Sequence, residues 1–366
     1  MNRREFLKFG AVGAALPLVG CAMGQGKGGG AAANPFAGLE VLPPAMPNAR
    51  VVKGSLKGKT ACKYIDDCIW FLRDIARTRP TSVFDHPFLA GIRRLHEKYG
   101  LKTQLNLFYR TDYFYGMDEF SLAEVPADYK GEFQKNADWL KFGFHALQEF
   151  PDYPWVNSSY EDVAKCLDMI HREVSRFAGD NMFARALIPH WVPMSKDGIR
   201  ALSDGGIKIV FSTGGNRYAY NGNPDVLPYG HSFRLMCDRK PETALFVRGN
   251  YLSALTASIC GYNHITREQS KATSRSCALV YDPDTKMNFR SFCTGPMSCI
   301  NCVDIEQLAK DLQAVKDAEF VGYGHHEQYF YKDYFNYQPD YMAKEELCAK
   351  TLAENGFGFC FMEDLS

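Results

Sequence analysis

The sequence predicts an α/β protein built on a parallel sheet, because short apolar runs alternate with amphipathic helical segments along most of the chain. About 320 residues follow Asn48, which is enough for one large α/β domain. The predicted strands span 60–66, 101–109, 140–144, 184–188, 208–212, 319–323 and 358–362. The predicted helices span 87–99, 160–177, 196–204, 305–318 and 343–354.

The helix at 87–99 shows how these assignments are made. Leu89, Ile92 and Leu95 recur near helical spacing, and Gly100 provides a C-terminal stop. The alternation breaks down at 214–294, where Gly, Asn, Pro, Tyr and Arg dominate and hairpins are expected around 232–236 and 278–281. We therefore expect a long irregular insertion there, on the side of the sheet that carries active sites in such proteins.

The N-terminal segment is typical of export. Arg3-Arg4 opens a twin-arginine signal, an apolar run follows at 9–20, and Leu18-Val19-Gly20-Cys21 resembles a lipobox with Cys21 as the lipidated residue. An ordinary secretory peptide with an incidental cysteine is the alternative. We expect a signal at 1–21, a flexible Gly/Ala/Pro-rich linker at 22–48 and a domain at 49–366, held at the bacterial cell envelope through a lipid anchor.

The composition argues against a nucleic-acid partner, and it does not decide whether the cysteines form disulfides, stay reduced or bind a metal. The 42 basic and 42 acidic residues balance, so a nucleic-acid partner is not expected. Aromatic residues make up 14%, which suits a cleft for sugar rings as well as a core. Among the 12 cysteines, Cys293, Cys299 and Cys302 lie closest together. A fourth ligand is missing, which favours a disulfide or reduced thiols over a structural metal.

Polar groups follow several predicted strands, at the end where parallel α/β proteins gather catalytic residues. These groups are Asp66-Asp67, His145, His190-Trp191 and His325-His326-Glu327. If a helix begins after the strand 140–144, His145 and Glu149 share one face at spacing i, i+4 and can reach one ion. With Asp67 they form a set of three ligands that suits a catalytic divalent metal; otherwise Glu149 is a solvated residue.

These residues resemble motifs of the polysaccharide deacetylase family, which are metal-dependent carbohydrate esterases. Tyr64-Ile65-Asp66-Asp67-Cys68 is similar to the opening Thr-Phe-Asp-Asp-Gly motif of that family, with Cys68 in place of glycine. His145 matches the first histidine of His-Ser/Thr-x-x-His, and Glu149 occupies the position of the second. The segments 187–191 and 323–328 are similar to the later motifs, and 214–294 has no counterpart.

The resemblance implies a (β/α)7-type distorted TIM-like barrel that removes acetyl groups from an N- or O-acetylated carbohydrate. It implies Asp66 as general base, His326 (or His325) as general acid, and Asp67, His145 and Glu149 as metal ligands. The metal is expected to be zinc, with manganese or magnesium as alternatives. We expect His190, Trp191 and His325 to bind substrate. Two alternatives are a metal-independent glycoside hydrolase using Asp66 and Glu149, and a catalytically silent glycan-binding lipoprotein.

Overall fold

The computed structural model describes residues 38, 40–111, 119–149, 154–155, 158–192, 194–212, 214–218, 264–291, 297, 299–334 and 336–366. Its strands are β1 Val41–Leu42, β2 Arg50–Val52, β3 Thr60–Cys68, β4 Thr103–Phe108, β5 Leu140–Ala146, β6 Ala186–Leu187, β7 Ile209–Ser212, β8 Arg217–Tyr218, β9 Leu279–Asp282, β10 Met287–Ser291, β11 Phe320–His326 and β12 Gly358–Cys360. Its helices are α1 Trp70–Thr78, α2 Pro87–Tyr99, α3 Lys130–Gln134, α4 Tyr160–Phe177, α5 Lys196–Asp204, α6 Arg267–Thr273, α7 Ile305–Val315 and α8 Tyr341–Glu354.

The main sheet is a run of parallel strands. β11, β3, β4 and β5 are neighbours in that order, and a parallel bridge between Phe142 and Phe183 leads on to β6, β7 and β10. β9 and β2 extend the far edge in antiparallel fashion, and β12 pairs with the beginning of β3. This arrangement confirms the predicted α/β class with a parallel sheet.

The sheet is strongly curled, so that strands distant in the order face each other. The rings of Tyr64 on β3 and Phe211 on β7 lie 6.4 Å apart across the inside of the curl. From β4, Gln104 reaches across to donate to the carbonyl of Ala186 on β6, at 2.8 Å. An inner apolar cluster fills this space, and a larger cluster lies between the outer face and the helices. The carboxyl ends of the strands are thereby brought to one rim.

Part of the predicted irregular insertion is regular. Within 264–291 the chain forms α6, β9 and β10, and β10 pairs in parallel with β7 from Asn288 to Ser291. The expectation of irregular backbone is wrong there, because Met287 and Phe289 are fully buried and complete the sheet. The hairpin expected at 278–281 is present as β9 and β10, whereas the one expected at 232–236 lies outside the described residues.

The beginning of the chain is described only in part. The predicted signal at 1–21, including Cys21, lies outside the described residues. The end of the predicted linker is not flexible, because β1 pairs with β8 and Met46 is buried in the core. In the portion of the chain that is described, no helix has the length and apolar content needed to cross a bilayer.

The start of α1 is held by a residue from the other end of the chain. Glu327 is fully buried, and its carboxylate accepts hydrogen bonds from the backbone N–H groups of Ile69 (2.7 Å), Trp70 (3.0 Å) and Phe71 (2.6 Å). The hydroxyl of Tyr331 donates a fourth, at 2.9 Å. α1 has no acidic residue in its first turn and no side-chain cap of its own. Glu327 supplies the negative charge and the hydrogen-bond acceptor that this helix N-terminus lacks. This contact fixes the turn that follows the two aspartates.

Replacing Glu327 with glutamine is expected to lower the free energy of unfolding by about 2–4 kcal/mol. Glutamine turns an NH₂ group toward backbone N–H donors and leaves buried groups unpaired. Denaturant unfolding followed by circular dichroism measures the loss. The matched control is Glu97→Gln, which breaks an exposed ion pair with Arg93 and should cost less than about 0.5 kcal/mol. Equal losses in the two variants would contradict the capping role.

Candidate metal centre

The two adjacent aspartates of β3 are aimed at one site by a break in the strand. Neighbouring residues of a regular strand point to opposite faces. Here the pairing of β3 with β4 shifts between Ile65 and Cys68, and Asp67 has a φ of 60° in the left-handed region. Both carboxylates consequently approach the same His145 ring, with Asp67 at 3.1 Å and Asp66 at 4.0 Å. A non-glycine residue held at positive φ costs energy, and bulges of this kind commonly re-aim side chains beside active sites.

Three buried groups converge at this point. His145 Nε2 lies 3.1 Å from Asp67 Oδ1, His190 Nδ1 lies 3.3 Å from the same oxygen, and the two ring nitrogens are 3.0 Å apart. Asp67, His145 and His190 are each no more than 5% exposed. They are the residues that, within the described ranges, could jointly hold a metal ion.

The outer hydrogen bonds of the two histidines define which nitrogens carry protons. His145 Nδ1 faces the carbonyl oxygen of Ile188 at 2.8 Å, and His190 Nε2 faces that of Glu149, also at 2.8 Å. A carbonyl oxygen can only accept, so these two nitrogens must donate. Burial lowers the pKa of His145 to about 4, so its ring is neutral at pH 7. Its Nε2 therefore presents a lone pair to Asp67.

Asp67 Oδ1, His145 Nε2 and His190 Nδ1 converge within 3.0–3.3 Å of one another, and a cation at their centre would bind all three. Burial alone would raise the pKa of Asp67, but His326 and the adjacent rings of His145 and His190 lower it well below its usual value, so Asp67 is anionic. Histidine and aspartate are common zinc ligands, and backbone carbonyls that fix the outer nitrogens are a regular accompaniment. In a tetrahedral zinc site the ligand atoms lie about 3.3 Å apart, close to the separations seen here. The residues present therefore fit a divalent metal.

Asp66 lies beside this cluster with a different environment. Its Oδ1 accepts a hydrogen bond of 2.6 Å from Asn106 Nδ2 on β4, and Asn106 in turn is held by Gln104. Burial raises the pKa of Asp66 well above its usual range, with the neighbouring Asp67 charge adding to it and Asn106 opposing it. Gly143 on β5 makes room for this support, because a Cβ there would lie 2.3 Å from Asn106 Oδ1. Asp66 is thus held close to the three converging groups.

The turn after β6 positions His190. Trp191 and Val192 have φ values of 62° and 74°, and the Val192 N–H returns to the carbonyl of Pro189 at 2.6 Å. A β-branched residue such as valine rarely adopts positive φ, so this is a strained turn of the kind found at functional sites. The tight turn aims His190 inward and leaves the half-buried ring of Trp191 6.0 Å from it. The expected substrate contacts of these two residues stay predictions, although His190 lies among the converging groups.

Glu149 is not where the sequence predicted it. Residues 147–149 form bends and no helix begins there, so the i, i+4 relation to His145 does not hold. The Glu149 carboxylate instead accepts from Gln328 Nε2 at 2.9 Å, and the same amide nitrogen donates to Asp67 Oδ2 at 2.9 Å. Among the described residues, His190 takes the place in the converging set that Glu149 was expected to fill.

The two histidines at the end of β11 differ in environment. His326 is partly exposed, with its Nε2 3.9 Å from Asp67 Oδ2 and its Nδ1 3.0 Å from Asn301 Oδ1, so it faces the site. His325 is fully buried, stacked on Tyr341 at 3.8 Å and bonded to Glu345, which also pairs with Lys63. The expected substrate contact of His325 is at odds with this burial, because successive strand residues point to opposite faces.

No role was assigned from the sequence to Asn106, Asn301, Glu327 or Gln328, although Glu327 and Gln328 lie in a segment that was singled out. The spacing of Gln104 and Asn106 in a fully buried strand was an available signal, since polar residues at i and i+2 share one face. Glu327 and Gln328 lie in the segment 323–328 described above, but the groups they bind, the Ile69 N–H and the Asp67 carboxylate, are about 260 residues away in sequence. Sequence spacing alone does not reveal such pairs.

Comparison with known proteins gives weak structural similarity. No protein-family profile matches the chain, and no curated protein matches it. Among solved structures, it is similar to the Xyl-CE4 domain of a multidomain xylanase from the hindgut metagenome of Trinervitermes trinervoides, at a TM-score of 0.35 and 8% identity over 84% of this chain and 89% of that chain. A CE4 family pseudoenzyme from Bacillus anthracis is similar at a TM-score of 0.36 and 8% identity, over 86% and 68% of the two chains. These values are too low to assign a family, so the functional argument depends on the site.

Proposed function

We propose that this protein is a metal-dependent hydrolase that removes acetyl groups from an N- or O-acetylated carbohydrate, and that its curled sheet is a (β/α)7-type barrel. The observation that carries the proposal is the convergence of Asp67, His145 and His190, whose facing oxygen and nitrogen atoms lie 3.0–3.3 Å apart. The motif around Asp66 and Asp67, similar to that of the polysaccharide deacetylases, supplies the substrate class.

The residues around the converging groups suit acyl hydrolysis. A divalent ion on Asp67, His145 and His190 would polarise an acyl oxygen and lower the pKa of a bound water. Asp66 is placed to accept the proton of the attacking water, and Asn106 holds its carboxylate in position. Asn301 orients the ring of His326 by accepting from Nδ1, so that Nε2 faces the site. When the ring carries a second proton, that proton is on Nε2 and can pass to the leaving amine or alcohol.

Gln328 contacts both Asp67 and Glu149, and in this proposal it separates Asp67, a metal ligand, from Glu149, which is not one. Its Nε2 lies between Asp67 Oδ2 and Glu149 Oε2, at 2.9 Å from each. One amide donor therefore satisfies the second oxygen of Asp67 and holds the Glu149 side chain at the rim. This leaves Oδ1 of Asp67 directed at the two histidines. We propose zinc as the ion, since two imidazoles and one carboxylate form a common catalytic zinc set, with manganese or magnesium as alternatives.

We also propose that the protein acts at the bacterial cell envelope. The supporting features are the Arg3-Arg4 pair, the apolar run at 9–20 and Cys21 at the end of a lipobox-like segment. In this arrangement the lipid on Cys21 anchors the protein to the membrane, and the domain faces carbohydrate.

Metal removal tests the proposed function. Acetate release from N-acetylated chitooligosaccharides and from acetylated xylan should fall by at least about 100-fold after chelation and return on addition of one equivalent of zinc, manganese or magnesium. Reducing-end release, measured on the same samples, should stay at background. Acetate release that is insensitive to chelation would contradict the metal role, and chelator-insensitive release of reducing ends would indicate a glycoside hydrolase. Glycan binding without either product would indicate a silent binding protein.

A further inference from the structure

A pair of cysteines lies beside the candidate acid, His326. Cys299 precedes a single 3₁₀ turn at Ile300–Cys302 and Cys302 ends it, and the turn is closed by a hydrogen bond of 3.0 Å from the Cys302 N–H to the Cys299 carbonyl. Residues i and i+3 of such a turn lie about 6 Å apart on the same side. This separation falls within the range of roughly 4.4–6.8 Å between the Cα atoms of a disulfide. In the structure both residues are thiols.

The two thiols differ in access and environment. Cys299 is buried, whereas Cys302 is exposed to solvent. A hydrogen bond with Cys299 lowers the pKa of Cys302, burial opposes this, and the Lys344 ammonium on α8 lowers it further. The hydroxyl of Tyr329 is another titratable group acting on this position. An accessible thiol with a lowered pKa, three residues from a buried thiol, is the arrangement of a thiol–disulfide exchange pair.

The residue between the cysteines connects them to the site. Asn301 Nδ2 points at Cys302 Sγ at 3.6 Å, and Asn301 Oδ1 accepts from His326 Nδ1 at 3.0 Å. The backbone of Asn301 is held by Gln338 Nε2, at 2.7 Å from its carbonyl oxygen. One amide side chain therefore contacts both a sulfur and the imidazole that faces Asp67. A chemical change at Cys302 Sγ therefore alters the contact of Asn301 Nδ2, and Asn301 is the residue that holds the His326 ring.

We propose that Cys299-Ile300-Asn301-Cys302 is a thiol–disulfide exchange site, and that its oxidation state sets the position of the His326 ring through Asn301. The reaction partner is a small-molecule or protein disulfide. The consequence for turnover rests on the proposed function, whereas the exchange chemistry does not.

The exchange balances as two displacements. The Cys302 thiolate attacks a disulfide RSSR, forming Cys302–S–S–R and releasing RS⁻. Cys299 then loses its proton and attacks Cys302 Sγ, forming the Cys299–Cys302 disulfide and releasing a second RS⁻. In total the protein loses two hydrogens and is oxidised, while RSSR is reduced to two RSH. A disulfide sulfur is a weaker acceptor than a thiolate, so the Asn301 amide loses its partner and no longer fixes His326.

Mass spectrometry of the full chain tests the exchange. After incubation of Cys293→Ser protein with glutathione disulfide, the peptide carrying residues 299–302 should lose two hydrogens. In protein that also carries Cys299→Ala, glutathione disulfide should leave a trapped glutathione adduct on Cys302. Alkylation of the Cys302 thiol by iodoacetamide at pH 7 should be about tenfold slower in this variant, because the Cys299 thiol no longer donates a hydrogen bond to it. Cys166→Ala, at a buried thiol elsewhere, should leave that rate unchanged. Absence of both the disulfide and the adduct would overturn the proposal.

The link to His326 has its own readout. Imidazole NMR signals of ¹⁵N-histidine-labelled protein, assigned with His326→Ala, should show a shifted His326 resonance after oxidation and the original one after dithiothreitol. Asn301→Ala should abolish this response, whereas Asn181→Ala, whose amide contacts the Gln134 carbonyl, should not. A His326 signal identical in the two redox states would refute the link. Because no acetate is measured, this result is independent of the proposed deacetylase activity.

Discussion

Replacing Asp67 with asparagine is expected to weaken zinc binding by at least about 10³-fold and to abolish metal-dependent acetate release. The change removes the negative charge and turns either a weakly ligating amide oxygen or an NH₂ group toward His145 and His190. Asparagine tolerates the left-handed φ of 60° at this position, so the strand break should persist. Zinc affinity by competition with a chromophoric chelator, and metal content after gel filtration, measure the effect.

The control for this substitution is Glu149→Gln. Glu149 lies outside the converging set and is held by Gln328, so the zinc affinity of this variant should stay within about threefold of the wild type. His190→Ala should behave like Asp67→Asn. A full equivalent of tightly bound zinc in Asp67→Asn, or loss of zinc in Glu149→Gln alone, would return the ligand role to Glu149.

Replacing Asp66 with asparagine is expected to lower turnover by about 10²–10⁴-fold while leaving bound zinc at the wild-type level. The introduced amide oxygen can still accept from Asn106, so the geometry is kept and only the proton acceptor is lost. Removing this buried carboxylate should not lower the free energy of unfolding, because burying its charge is itself costly. Acetate release, metal content and denaturant unfolding on one preparation separate these effects.

Asn106→Ala provides the companion measurement for Asp66. It removes the hydrogen bond that orients the carboxylate but keeps the carboxylate, so turnover should fall less than in Asp66→Asn while zinc stays bound. If Asp66→Asn retains wild-type turnover, Asp66 is not the base. If it loses zinc, the two aspartates share the ion, and the division of roles between them is incorrect.

Local patterns were sufficient for most of the fold. The helices α2, α4 and α5 follow from apolar spacing and end signals, and each lies within a residue or two of its predicted bounds. A hairpin was expected near β9, but the place of β10 in the parallel sheet could not be predicted in the same way. Met287–Ser291 is short and contains Asn288 and Arg290, and it becomes a sheet member only through pairing with β7 and β9. Tertiary context decides such segments.

Some residues of the candidate site could likewise be predicted from local sequence, whereas others depend on the tertiary structure. Asp66, Asp67, His145 and His326 could be identified because each follows a buried strand and polar groups meet at that end of a parallel sheet. The choice of Glu149 over His190 was wrong as a matter of geometry, because it assumed a helix where the chain bends. His190 depends on two consecutive positive φ values in the turn after β6, which sequence spacing does not encode.

The cap that Glu327 places on α1 has a consequence for how the protein is made. The carboxylate is 256–258 residues away in sequence from the N–H groups it binds, and the Gln328 amide is 261 residues from Asp67. Contacts this distant form late, after the entropy of closing a long loop has been overcome. During synthesis the turn carrying Asp66 and Asp67 must wait for nearly the whole chain to emerge. A nascent chain ending before β11 therefore contains Asp67, His145 and His190 but lacks the Glu327 and Gln328 contacts that hold the turn after β3 in place.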